Sequence, residues 1–368
     1  MTTLALRGGE IVTPLEERFT TLWLRGSVIG GLGDRNPDGT SGHTTLDVSG
    51  CYVTPGLFDL QVNGSAKCNL WADPQPSELA ALRADLAKQG VTSFLPTLIT
   101  DEIGHLKKNL AFLAEHGAGS EQLDAGRQIK GARMPGVHLE GPCLSPERPG
   151  VHPRQWLQPL TKTLMEELAT SYVALVTLAP ELEGDGSSVE FLVGRGIRVS
   201  LGHSNATYQE AELAFDRGVR LMTHAFNALP PLHHRQPGAV AAAFRNCLVS
   251  ACVICDGLHV DPNMVRILIR YKGVPQVILV SDAAHVGTSQ GGLVGSSITL
   301  AEAVRNVVGW GIVGFADAVR MASWNPASVM GYQDKIGHLA PGKCADVVVW
   351  DRQTLEVKHV ILAGKLLF

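Results

Sequence analysis

The sequence predicts an α/β protein: a (β/α)8 TIM barrel with a small β-sandwich domain built from both chain ends. Three observations predict it. Eight short apolar runs alternate with helical patterns between residues 55 and 337. Repeats of strand and helix in that number fit a closed parallel barrel. The segments on either side, 1–54 and 338–368, are strand-rich and broken by turns. A chain of 368 residues, 45% hydrophobic, is long enough for one large barrel and a small domain.

The elements follow in order. "LALRGGEIVTP", "TTLWLRGSVIGGLG" and "TTLDVSGCYVTPG" carry β-branched residues with glycine punctuation, and fit a small antiparallel sheet. In "TPGLFDLQVNG", Leu57, Phe58, Leu60 and Val62 lie between Pro55-Gly56 and Asn63-Gly64, which reads as a buried strand bounded by turns. "SELAALRADLAKQG" reads as a helix with Ser77 as N-cap, Leu79, Leu82 and Leu86 on one face, and Gly90 as its stop. "VTSFLPT" is the next strand. "DEIGHLKKNLAFLAEHG" places Ile103, Leu106, Leu110 and Leu113 on one helical stripe. Six more strands are expected at "MPGVHLEG", "YVALVTLAP", "IRVSLGHS", "VRLMTHAFN", "CLVSACVICDG" and "QVILVSDA". The tail "IGHLAPGKCADVVVWDRQTLEVKHVILAGKLLF" returns to strands, with turns at Pro341-Gly342 and Ala363-Gly364. The two ends therefore pair into one β-domain flanking a barrel over 55–337. An open doubly wound sheet is the rival. For a nucleotide role it needs a phosphate-binding glycine fingerprint after its first strand, and "QVNGSAKCNLW" is not one.

Composition narrows the function. The net charge is -4, with no block of like charges, so no nucleic-acid partner is expected. A local basic pocket for an anionic substrate stays open. The start "MTTLALRGGEIVTP" lacks the basic and long apolar regions of a secretory leader, and no apolar run is long enough for a bilayer. Seven cysteines, an odd number, fit a reducing cytoplasm. Cys252 and Cys255 form C-x-x-C inside an expected core strand and read as buried small hydrophobes, because no second pair completes a zinc site.

Catalytic side chains of a barrel sit at the C-terminal ends of its strands. There the sequence offers Glu140 after strand three, His203 after five, His224 after six and Asp282 after eight. Two histidines, one glutamate and an open position make a common catalytic zinc set, and Asp282 stands apart as a candidate general base and acid. One histidine at a strand end is usually just a satisfied polar residue. Four ionisable groups at one end are harder to bury without a cation. His138 points into the same interior by strand alternation and reads as a hydrogen-bond partner behind the ligands. On strand one, many barrel metallohydrolases carry His-x-His; here Gln61 and Asn63 stand in those places, and neutral amides are poor zinc ligands.

With these residues named, the chain resembles the N-acetylglucosamine-6-phosphate deacetylase family of the amidohydrolase superfamily. The motifs are "PGLFDLQVNG", "GVHLEGPCLSPERPGVHP", "LGHSNAT", "THAFNALPPLHHRQPG", "DGLHVDP", "LVSDA", "GSSITLAEAVRNVV" and "GHLAPGKCADVVVWD", in family order across nearly the whole chain. The resemblance implies one divalent ion per subunit rather than two, Zn2+ first, with Fe2+, Co2+ or Mn2+ as alternatives. Glu140, His203 and His224 would hold it, and Gln61 and Asn63 would mark the lost first site. It further implies that Asp282 takes the proton of the attacking water and returns it to the leaving amine. His152 would polarise the acetamide carbonyl. Asn227, the backbone of Ala228, Arg235 and His259 would hold the sugar phosphate, with Arg235 reaching the neighbouring site of a homodimer. His233 and His234 read as plain exposed loop. One departure stands out: only "AAHVGTSQ" separates Asp282 from "GGLVGSS", where the family carries a longer segment, which bears on closure of the site. The alternatives are a catalytically silent sugar-phosphate-binding or scaffold homologue, or an amidohydrolase for another N-acyl or cyclic amide.

Overall fold

The computed structural model describes residues 3–13, 17–37, 39, 42–124, 127, 129–285, 288–289 and 292–368. Its centre is a sheet of eight parallel strands in chain order: β1 (Leu57–Val62), β2 (Val91–Ile99), β3 (Val137–Glu140), β4 (Val173–Leu178), β5 (Arg198–Leu201), β6 (Leu221–Met222), β7 (Ser250–Ile254) and β8 (Val277–Val280). Each lies on one of the eight expected runs. A parallel bridge from Val62 to Ala283 closes the ring, where the Asn63 N–H donates to the Ala283 carbonyl at 2.7 Å. Every residue of β1, β3, β7 and β8 is buried, because barrel strands are covered on both faces. That explains why they read as continuous apolar runs rather than alternating ones.

The two helices read from periodicity are α1 (Pro76–Lys88) and α2 (Ile103–Glu115). Leu79, Leu82 and Leu86 of α1 and Leu106, Leu110 and Leu113 of α2 are buried as expected. The N-cap of α1 is Gln75, not Ser77. Pro76 takes the first helical position, where its missing N–H costs nothing, so the helix begins before the serine. The Gln75 N–H then donates to the Glu78 carboxylate at 2.7 Å.

The chain ends form two further sheets. One has the order Val28–Leu32, Leu22–Arg25, Thr3–Arg7, Thr44–Asp47. The other runs Lys365–Leu366, Val357–Leu362, Val347–Asp351, Cys51–Pro55, Glu10–Val12, Glu17–Phe19. The C-terminal strand Val347–Asp351 pairs antiparallel with Cys51–Pro55, so the termini do share one β-structure. The sheets are mixed rather than purely antiparallel. Thr3–Arg7 runs parallel to Thr44–Asp47, and Glu10–Val12 parallel to Cys51–Pro55. Parallel pairing needs a long crossover, and the intervening residues supply it.

Leu6, Leu22, Leu24 and Ile29 of one sheet share a core with Val53, Val347, Val349 and Ile361 of the other. The alternate residues Val348, Trp350 and Val360 belong to the barrel core instead. The central strands of the six-stranded sheet are thus buried on both faces, while its edge strands Glu17–Phe19 and Lys365–Leu366 are exposed. An ion pair also spans barrel and sandwich: Arg133 donates from Nε to Asp346 Oδ2 at 2.6 Å and from Nη2 to Oδ1 at 3.1 Å, with both side chains buried. All seven cysteines are unbridged. Cys252 lies in β7 and Cys255 just beyond it; both are buried, and burial pushes the Cys252 thiol up to about 12. That suits core packing rather than redox chemistry.

Candidate active site

Glu140 ends β3, while His203, His224 and Asp282 each lie two residues past β5, β6 and β8. The last three have left-handed backbones, with φ of 46°, 27° and 50°. Such conformations cost non-glycine residues on the order of 1–3 kcal/mol each. They turn the chain sharply at the strand ends and bring the side chains over the barrel mouth.

The Nε2 atoms of His203 and His224 lie 3.1 Å apart, and 3.3 and 3.0 Å from Glu140 Oε1. Among the described residues, these three form the His, Cys, Asp or Glu group whose ligand atoms all lie within 4.8 Å of one another. His203 Nδ1 sits 3.0 Å from the Arg148 carbonyl, which can only accept, so the proton is on Nδ1 and the Nε2 lone pair faces the cluster. A lone pair and a carboxylate oxygen converging at this distance fit a divalent cation. Burial pushes Glu140 up, but when His203 and His224 carry a second proton in place of a cation, their hydrogen bonds and charge outweigh it and hold the carboxyl well below its usual range. Gln61 also donates to Glu140 Oε1 at 3.0 Å, and Asn63 donates to Asp282 Oδ1 at 2.7 Å.

His152 is fully buried. The Thr100 backbone N–H donates to its Nδ1 at 3.2 Å, so the ring proton is on Nε2. That Nε2–H has no hydrogen-bond partner and lies 3.8 Å from Glu140 Oε2. Burial, then the charge of His203, pushes its pKa down to about 3, so it is a neutral donor aimed into the site. Asp282 is driven the other way: burial, then the Glu140 charge, raises it to about 7. A carboxyl poised there suits proton exchange near neutral pH.

These groups line a cavity of about 160 Å³, together with Asn63, Trp71, Asn227, Ala228 and His259. His259 Nδ1 is held by Asp256 Oδ2 at 2.6 Å. Arg235 is exposed and lines a separate groove of about 560 Å³ with Arg148 and His233. His233 and His234 are exposed, as the loop reading expects. His138 is buried and faces the barrel axis, but one layer below the ligands. Its partners are the Leu60 carbonyl at 3.0 Å, the Thr177 hydroxyl at 2.8 Å and the Thr97 hydroxyl at 3.4 Å, not the ligand side chains. His285 is exposed and bonded to the Ser65 carbonyl at 2.9 Å. Of the short segment after Asp282, Val286, Gly287 and Gln290 lie outside the described residues.

Residues 52–367 match the family described as Amidohydrolase family. The chain belongs to the amidohydrolase family. Within it, the chain is 32% identical to an N-acetylgalactosamine-6-phosphate deacetylase of Escherichia coli O157:H7, over 85% of this chain and 87% of that one. It is 31% identical to an N-acetylglucosamine-6-phosphate deacetylase of Vibrio furnissii, over 86% and 83%. The N-acetylglucosamine-6-phosphate deacetylase of Pasteurella multocida superposes with a TM-score of 0.86 at 27% identity, covering 99% of both chains. A mutant enzyme from Mycobacterium smegmatis, in complex with N-acetyl-D-glucosamine-6-phosphate, also scores 0.86, at 27% identity over 100% and 99%.

Sequence reasoning missed the supports of this amidohydrolase site. Thr100, which sets the His152 tautomer, and Arg148, whose carbonyl sets that of His203, act through backbone atoms that no motif marks. Trp71 and the buried Asp59, which accepts the Ser281 N–H at 3.2 Å, were also unmarked. An acidic residue in an otherwise apolar strand is a readable signal; a lone tryptophan after a turn is not.

Proposed function

We propose that this chain hydrolyses the N-acetyl group of an N-acetylhexosamine 6-phosphate, N-acetylglucosamine 6-phosphate first, releasing acetate and the free amino sugar phosphate. The observation that carries this reading is the convergence of Glu140, His203 and His224 with a raised Asp282 and a neutral His152 donor in one cavity. The relatives' names supply the substrate class.

Glu140, His203 and His224 are the residues that would hold one divalent ion, zinc by the nitrogen and carboxylate character of the set. Such an ion supplies a more acidic water and Lewis acidity toward a carbonyl. Asp282 takes the proton of the attacking water. The Nε2–H of His152 donates to the carbonyl oxygen as negative charge develops on it. Asp282 then returns the proton to the departing amine nitrogen, and the C–N bond breaks. Asn227, the Ala228 backbone and His259 bind the sugar phosphate from within the cavity. Arg235, outside its own cavity, serves the partner subunit's site in a homodimer; its planar fork suits phosphate oxygens. The division at 54/55 and 337/338 separates the catalytic barrel from a β-domain that frames it. Unbridged cysteines support a cytoplasmic setting, and among the described residues no helix is long and apolar enough to cross a membrane.

The test is acetate release from N-acetylglucosamine 6-phosphate and its galactosamine epimer, with metal content measured on the same sample. Release from either sugar is the expected result. A folded, metal-replete chain that releases acetate from neither would overturn this reading and leave a silent homologue or an amidohydrolase for another amide.

A further inference from the structure

Gln61 on β1 and Asn63 just past it stand where related barrels carry a pair of metal-binding histidines, yet Asn63 is not idle. Its side-chain nitrogen donates to Asp282 Oδ1 at 2.7 Å, and its side-chain oxygen receives the indole N–H of Trp71 at 3.3 Å. The chemistry of the two ends fixes which way the amide points. Indole N–H is a donor only, so the atom it meets is oxygen. In its ionised form the Asp282 carboxylate accepts only, and the atom facing it is then nitrogen. The indole demands this orientation whatever the charge on Asp282, and the ionised carboxylate agrees with it.

Trp71 is held in place for this. A short hairpin pairs Gly64–Ser65 with Cys68–Asn69 and brings the chain back over the end of β1. The Leu70 N–H donates to the Asn63 carbonyl at 3.2 Å, and the Trp71 N–H to Asn69 Oδ1 at 3.0 Å. Beyond it, Asn109 of α2 donates to the Ala72 carbonyl at 3.0 Å. The indole is thus tethered on both sides, half-buried at the cavity wall.

We propose that Trp71 is a positioning residue: its N–H locks the Asn63 amide, and the locked amide holds Asp282 in the orientation its proton transfer needs. With one carboxylate oxygen taken by Asn63, the other is left to exchange the proton. This inference rests on the deacetylase reading. It adds to that reading a role for a residue without metal or substrate duties, and turns the lost metal site into a hydrogen-bonded support.

Trp71→Phe keeps the ring and removes only the donor. We expect kcat to fall roughly five- to tenfold, the scale of one neutral hydrogen bond, with KM and metal content unchanged. In an Asn63→Ala background the same substitution is expected to do nothing more, because Trp71 acts through Asn63. Unchanged kcat in Trp71→Phe would overturn the proposal. So would a loss of the same size with and without Asn63, or a rise in KM alone, since either would make Trp71 a direct substrate contact. A readout free of turnover accompanies these. The Trp71 indole N–H resonance, assigned by its loss in Trp71→Phe, should move in Asn63→Ala; an unmoved signal rejects the lock. If that coupling holds while the wild-type chain releases no acetate, the deacetylase reading has failed and the lock has not.

Discussion

Gln61 donates its side-chain amide to Oε1 of Glu140 across 3.0 Å, at the oxygen that His224 Nε2 also approaches at 3.0 Å. Gln61 therefore presents an N–H donor to Glu140 rather than a lone pair that a second cation could use. One ion per chain is the expected stoichiometry, read by elemental analysis of the purified protein; two ions per chain in an active sample would contradict it. Glu140→Ala should strip most of the metal, since an open site with two protein ligands binds weakly.

Asp282 is expected to handle protons without being a needed ligand. Asp282→Asn preserves shape and can still meet Asn63, but it cannot accept the water's proton. Metal content should survive while turnover drops by about a hundredfold or more. Loss of metal in this variant would make Asp282 a ligand. Near-normal turnover would move the shuttle elsewhere, and the exposed His285 would be next to test.

Arg235 lines a groove outside its own cavity, so the phosphate role proposed for it would need a second subunit. Arg235→Ala should weaken kcat/KM on the phosphorylated sugar by about 1.5–3 kcal/mol, the worth of a charge-assisted contact. Unphosphorylated N-acetylglucosamine should be little affected. Equal losses on both sugars would remove the phosphate role. Sedimentation that finds only monomer would remove the shared site.

The Arg133–Asp346 pair predicts a large effect on stability. Both groups are buried, and Asp346 Oδ1 also accepts the Ala363 N–H at 2.8 Å. Asp346→Ala leaves an uncompensated guanidinium between barrel and sandwich, which should cost roughly 3–5 kcal/mol in urea unfolding. A loss below about 1 kcal/mol, the range of exposed pairs, would show that water reaches the arginine.

Asp59 makes stability depend on pH. Burial raises its pKa from an ordinary 3.8 to about 6, against hydrogen bonds from the Ser281 and Gln61 backbones that lower it. The folded state therefore holds a proton that the unfolded chain has released between those values. Stability from this group is complete below about 3.8 and is lost as the pH rises through 6. In the metal-free chain, the stability of Asp59→Asn relative to wild type should improve by on the order of 2 kcal/mol from pH 4 to pH 8. A gap constant with pH would place the carboxyl in contact with water.

The sequence by itself determined the eight barrel strands, the buried faces of α1 and α2, the pairing of the two chain ends, and the convergence of Glu140, His203, His224 and Asp282. Each follows from a local pattern. A strand buried on both faces must be a short apolar run, a helix on the barrel wall must repeat its leucines every three or four residues, and a polar side chain just past such a strand can only face the barrel mouth. What the tertiary structure alone decided depends on partners distant in the chain. Thr100 fixes the His152 proton from the end of β2, and the Arg148 carbonyl fixes that of His203 from the loop after β3. Arg133 finds Asp346 across 213 residues. Trp71, in a stretch with no motif, reaches Asp282 only through Asn63, because a hairpin folds it back. The parallel pairing of Thr3–Arg7 with Thr44–Asp47 was invisible for a related reason. A strand's composition records how deeply it is buried, whereas the direction of its neighbour is set by the path of the residues between them.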